Sequence, residues 1–169
     1  MELKWKQEND TAYSLSTDGL LLATLEWHIT KGTATGTVDG KHYKIYRKGF
    51  WKTAIIIQNH EGAIEIKPVN WYGHKWYFNY EGKNYTLSVS NNPMAGWSIT
   101  HNGQVILAYN LDSENSKATL RIDGNSTNGL LHCLLLYMML PILSENSADF
   151  TGLMFIVTAN ADANGLTLH

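Results

Sequence analysis

Six short turn signals recur along the first three quarters of this chain at an almost constant interval. They are Asp18-Gly19, Asp39-Gly40, Glu61-Gly62, Glu81-Gly82, Asn102-Gly103 and Asp123-Gly124, and their glycines are 21, 22, 20, 21 and 21 residues apart. Glycine reaches the positive φ of a tight hairpin turn without steric cost, and Asp or Asn before it tolerates the same region. A fixed period makes the set far stronger than any one member. It constrains the chain to a series of similar hairpins, one turn every two strands.

The segments between the turns alternate in the two-residue rhythm of a strand with unlike faces. In "KNYTLSV", Tyr85, Leu87 and Val89 oppose Asn84, Thr86 and Ser88; in "KATLRID", Ala118, Leu120 and Ile122 oppose Thr119, Arg121 and Asp123. Ile64 and Ile66 against Glu65 and Lys67, and Trp97 and Ile99 against Ser98 and Thr100, repeat the pattern. One buried and one wet face is the habit of antiparallel sheets. Two strands per turn, with the last turn leading into an apolar run, predicts about twelve strands before residue 124. An open up-and-down sheet or a sandwich would carry the same alternation.

That apolar run, "LLHCLLLYMMLPIL" at residues 130–143, is greasy on every side, with His132 its one clearly polar interruption. A helix apolar all round is one that solvent does not touch. A barrel of about eight strands is just filled by side chains, so about twelve strands leave room for something more. A helix is about 10 Å across, and fourteen residues rise roughly 21 Å, which matches strands of about six residues. The sequence therefore predicts a central helix over residues 129–143, capped by Asn125, Ser126 or Asn128 and kinked or ended near residue 140 by Pro141. A membrane span needs about 20 apolar residues and a cationic flank, and this run has neither. A membrane-inserted helix, short for a span, and a helix packed on an open sheet are the alternatives.

A dozen antiparallel strands in hairpin repeats followed by a hydrophobic helix resembles the tubby C-terminal-like superfamily, which includes tubby-like domains, phospholipid scramblases and LURP-one-related proteins. Hairpins such as "DGKHYKIYRKG" and "EGKNYTLSV" are most similar to the compact LURP-one-related and bacterial members. The resemblance implies a mainly β fold, a closed antiparallel barrel of about twelve strands around a C-terminal helix, over residues 1–145. It also implies a lipid head-group binder, without assigning residues, since no family motif maps onto this chain. The chain departs from the family pattern after the helix: residues 146–169 follow, and "GLMFIVTA" within them reads as an extra strand, an outer helix turn or a swapped segment. An unpaired apolar strand of that kind favours a homodimer.

The net charge of −2 argues against a nucleic-acid binder, which needs a strongly basic surface. A single cysteine, Cys133, excludes an intramolecular disulfide and fits a reducing compartment. The start, "MELKWKQEND", is charged throughout with no apolar stretch behind it. These features predict a cytoplasmic protein. Phosphate loops, dinucleotide fingerprints, nucleophile elbows and paired-histidine metal motifs are absent from the sequence, so no catalytic residue, metal or cofactor is predicted. His132 and Cys133 are neighbours about 100° apart on a helix, poorly placed to share one metal. A capped or hydrogen-bonded histidine near the helix start and a cysteine acting as a small buried hydrophobe are the readings that fit.

Two stretches carry binding candidates. Between Asp39 and Glu61 stand Lys41, Lys44, Arg47, Lys48 and Lys52 with no acid, interleaved with Tyr46, Phe50 and Trp51. Cations would attract an anionic phospholipid head group and the aromatics would settle at the lipid interface, although a solvated basic hairpin reads the same way. "NWYGHKWYFNY" packs Trp71, Tyr72 and Trp76 among six aromatics, too many to face inward on alternating strands. Some of these predict an exposed patch for a protein, sugar or lipid, the alternative being aromatic lining of the barrel mouth. The function that fits best is a non-enzymatic tubby-like barrel, peripheral at a membrane or docked to a protein. A lipocalin-like carrier of a small lipophile, with an empty lumen, is the alternative, and an enzyme at the barrel mouth is a third reading without nameable residues.

Overall fold

The computed structural model describes residues 2–70, 74–90, 95–114 and 117–146, with the backbone alone for 112–114, 117–119 and 142–146. Twelve strands follow one another: β1 (Leu3–Gln7), β2 (Ala12–Thr17), β3 (Leu20–His28), β4 (Thr33–Val38), β5 (Lys41–Lys48) and β6 (Ala54–Asn59). The second half holds β7 (Gly62–Pro68), β8 (Lys75–Tyr80), β9 (Lys83–Ser90), β10 (Gly96–His101), β11 (Gln104–Glu114) and β12 (Lys117–Gly124), and α1 (Gly129–Asn146) is the one helix among the described residues. Each strand pairs antiparallel with the next in a single ladder from β1 to β12. Among the described residues no ladder joins β12 back to β1, so the barrel is nearly closed. At that seam Trp5 on β1 reaches over β12 and donates its indole N–H to Tyr109 Oη on β11 at 2.7 Å.

The repeat of turn signals is the repeat of hairpins. Asp18, Asp39, Glu81 and Asn102 sit at φ of 48°, 50°, 52° and 50°, each followed by a glycine also at positive φ, in two-residue loops between paired strands. Two positive-φ residues make the turn whose twist matches that of its strands, which is why a glycine stands second in each. Glu61-Gly62 differs. There the loop is His60-Glu61, and Asn59 Oδ1 accepts the backbone N–H of Glu61 at 2.9 Å and of Gly62 at 3.0 Å. A side-chain acceptor has replaced the glycine requirement, and the signal sits one residue off the turn. Gly124 ends β12 rather than a hairpin.

The inward positions are those the alternation marks: Leu3 and Trp5, Tyr13 and Leu15, Ile55 and Ile57, Trp97 and Ile99, Leu120 and Ile122 are all at most 3% exposed. α1 runs through the middle of them. Every residue from Leu130 to Leu140 is at most 5% exposed, so the helix has no wet face. It lies nearest β3, β4 and β10. Small residues permit that approach: a Cβ on Gly129 would stand 2.9 Å from Leu22 O and 3.0 Å from Val38 Cγ1, and one on Gly36 would stand 3.8 Å from Cys133 Sγ. Asn128 is the cap, its Oδ1 accepting the N–H of Leu130 at 3.1 Å and of Leu131 at 3.4 Å.

Two boundaries differ from the sequence reading. α1 does not stop near residue 140 but continues through Pro141 to Asn146. A proline this close to the end removes one intrahelical bond and leaves the preceding turns intact. Asn146 thus belongs to the helix rather than to an extension, while residues 147–169, with "GLMFIVTA", lie outside the described residues.

Among the described residues of α1, the buried His132 has both ring nitrogens paired. Tyr109 Oη stands 2.6 Å from His132 Nδ1, and His132 Nε2 stands 2.8 Å from Ser126 O. Burial pushes the imidazole pKa down to about 4, keeping the ring neutral. Nε2–H therefore donates to Ser126, Nδ1 accepts from the Tyr109 hydroxyl, and Tyr109 accepts from Trp5. One chain of hydrogen bonds links β1, β11 and the helix. Burial likewise pushes the Cys133 thiol up to about 12.

Candidate functional site

An antiparallel ladder sorts its connections between two ends. The four glycine turns, the β6–β7 turn and the entry to α1 share one end; the β1–β2, β3–β4, β5–β6 and β7–β8 loops share the other, where α1 emerges. Tyr137 ties the helix to this loop end, donating its hydroxyl to Gly32 O in the β3–β4 loop at 2.8 Å and meeting Trp27 edge to face at 5.6 Å.

The barrel wall opens here. The β4–β5 register runs from Val38↔Lys41 to Ala34↔Ile45, so Tyr46, Arg47 and Lys48 extend past the last β4 partner while still paired to β6. A cavity of about 540 Å³ occupies the gap and reaches in to Trp27, Tyr137 and Pro141. Both faces of β5 contribute: Lys44 and Tyr46 from outside, Arg47 from inside. Lys31 and Lys52 come from the two flanking loops, and among the described residues no acidic side chain lines it. Arg47 Nη2 contacts Met138 Sδ at 3.5 Å, and its guanidinium opposes the rise that burial imposes on the Tyr137 phenol pKa. Lys44 Nζ stands 5.4 Å from the Tyr46 ring centre, and Tyr46 donates to Gln58 Oε1 at 3.0 Å. At the tip of the β5–β6 loop Phe50 and Trp51 meet at 4.9 Å, 90% and 78% exposed.

The five cations predicted as one cluster are therefore divided. Lys44, Arg47 and Lys52 line the cavity, Lys48 is exposed beside it, and Lys41 lies at the far end of β5, its Nζ 3.2 Å from Glu61 Oε2. Seven residues of strand separate Lys41 from Lys48, roughly 23 Å. Lys31, which completes the cavity, has no signature in the sequence beyond a turn-like "TKGT". The aromatic patch needs a larger correction. Trp76 is 6% exposed and donates its indole N–H to Thr53 O at 2.9 Å, so it is a core residue. Strand alternation puts Trp76 and Phe78 inside and leaves Tyr77 outside, 53% exposed. Trp71 and Tyr72 lie outside the described residues.

A larger hollow of about 610 Å³ crosses the outer faces of β2 to β6. Two pairs of its polar groups are engaged with each other: Ser14 donates to Glu8 at 2.6 Å, and Thr37 Oγ1 stands 3.0 Å from His42 Nδ1. Its charges are of both signs, so it selects no ligand class. No cluster of three or more His, Cys, Asp or Glu able to hold a metal occurs among the described residues, and none of their helices is long and apolar enough to cross a membrane.

Comparison with family models, with curated proteins and with solved structures finds no match to this chain.

Proposed function

We propose that this chain is a non-enzymatic, tubby-like barrel that binds the anionic head group of a phospholipid and sits peripherally on a membrane. The observation that carries the reading is the acid-free cavity lined by Lys31, Lys44, Arg47 and Lys52 beside the exposed Phe50 and Trp51. Four cations around one hollow repel each other unless an anion joins them, and a phosphate ester offers the charge and the acceptor oxygens. Arg47 supplies a fork of donors held against the helix, Lys44 and Lys52 mobile point charges at the rim. The helix-filled barrel and the hairpin repeat support the tubby-like part of the proposal. A lipocalin-like carrier needs a vacant lumen, and α1 fills it from Leu130 to Leu140.

Flotation with vesicles of phosphatidylcholine containing phosphatidylserine tests the reading. At low salt the chain rises with the anionic vesicles and stays behind with neutral ones. Replacing Lys44, Arg47 and Lys52 together by Gln weakens binding about a hundredfold, at about 1 kcal/mol per cation near an anionic surface. Lys41→Gln, at the opposite end, leaves binding unchanged. Binding that the triple substitution does not weaken removes the cavity from the site. Binding to no vesicle, with a protein recovered instead, replaces the lipid by a protein partner.

A further inference from the structure

One sector of the loop end concentrates both cations and exposed apolar side chains, while the short-turn tips are mainly acidic. At the short-turn end the five hairpin tips carry Asp18, Asp39, Glu61 and Glu81, all exposed, against Lys41, already paired to Glu61, and Lys83. At the loop end the three adjacent connections from β3 to β8 carry Lys31, Lys48, Lys52, Lys67 and Lys75, all exposed, and residues 28–33, 47–53 and 67–75 contain no Asp or Glu. Glu8 and Asp10, both exposed, belong to the β1–β2 loop, which adjoins the β3–β4 loop at one edge of this sector. Among the described residues the same three loops hold four of the seven large exposed apolar side chains: Ile29, Phe50, Trp51 and Val69, between 55% and 90% exposed. Leu20 and Leu21 also face solvent, but beside Asp18 on the acidic end.

We infer that the barrel docks end-on, its α1-exit rim against an anionic bilayer, with Phe50 and Trp51 inserted among the lipids and Ile29 and Val69 flanking them. This rests on the head-group reading above and adds to it an orientation and an inserted surface. Separate loop tips fit a bilayer because each side chain enters a fluid interface independently, without the contiguous shape that a protein partner demands. Trp and Phe favour that depth, their rings apolar enough for the acyl boundary. Lysines ringing the aromatics stay at phosphate level, and the acidic hairpin tips at the opposite end are driven away from the surface, so charge and the exposed apolar tips together favour this pose. The β5–β6 tip projects beside the cavity mouth, so an inserted Phe50–Trp51 pair brings head groups level with Arg47.

The test uses the full chain with one fluorophore sensitive to polarity, attached to Phe50→Cys at the loop end or to Asn102→Cys at the short-turn end. Cys133 is buried and stays unlabelled in the folded protein. With phosphatidylserine-containing vesicles the label at 50 shifts to the blue and is quenched by brominated acyl chains, while the label at 102 reports water. The pair Phe50→Ser and Trp51→Ser, tested without any label, weakens vesicle binding roughly tenfold and keeps its dependence on salt. Flotation without any change at 50 overturns the insertion and leaves the head-group reading standing. An equal shift at 102 overturns the orientation. Absence of flotation to any anionic vesicle overturns both.

Discussion

Burial of His132 makes stability depend on pH below about 6.5. The ring is 0% exposed, bonded to Tyr109 on one nitrogen and to Ser126 O on the other, with no carboxylate among those partners. Burial lowers its pKa to about 4 from an ordinary 6.5. The unfolded chain thus binds a proton that the folded chain refuses, and stability is complete above about pH 6.5 and falls as pH drops toward 4. The full difference is roughly 3 kcal/mol, of which about 2 kcal/mol is lost between pH 7 and pH 5. Urea unfolding followed by tryptophan fluorescence at those two pH values measures it, with His132→Gln as the reference. At pH 7 the variant is less stable by about 1–3 kcal/mol, since a bond at one nitrogen is lost or bent. Its loss on going to pH 5 is smaller than that of the wild type by about 2 kcal/mol. Equal losses in the two proteins refute the neutral buried imidazole and the proton placement along the Trp5–Tyr109–His132 chain.

Cys133 lies 1% exposed on the helix with its thiol pushed up to about 12, so it reacts with an aromatic disulfide reagent only as fast as the barrel opens; rapid labelling of the native protein would place the helix outside. Gly36→Val forces a branched side chain between Thr24 O and Cys133 Sγ, which a Cβ alone already meets at 3.0 and 3.8 Å. Thermal unfolding should drop by an amount equivalent to about 2–3 kcal/mol, and an unchanged midpoint would mean that α1 stands farther from β4.

The architecture was legible because its signals are local. Four of the six periodic turn dipeptides became two-residue hairpin turns, the fifth fell one residue off its turn, and the sixth became the exit from β12. The inward set follows from alternation on each strand without reference to any other, and the helix announces its burial by lacking a polar face. The site was half legible for the opposite reason. "KHYKIYRKGFWK" shows five cations close in sequence, yet strand alternation turns Arg47 inward from Lys44 and Lys48, and strand length carries Lys41 to the other end. "KWYFNY" shows crowded aromatics, and alternation again sends Trp76 into the core.

From the sequence alone come the number of hairpins, the faces of the strands and the need for an apolar filler. Each is a property of a few neighbouring residues and of the period of the backbone they share. Only the tertiary structure decides where β4 stops accompanying β5, which opens the wall beside α1 and adds Lys31 to Lys44, Arg47 and Lys52. Only the curling of the sheet brings Trp5 to Tyr109, 104 residues away. Such juxtapositions depend on register and curvature summed over twelve strands, and no local pattern of residue types encodes that sum.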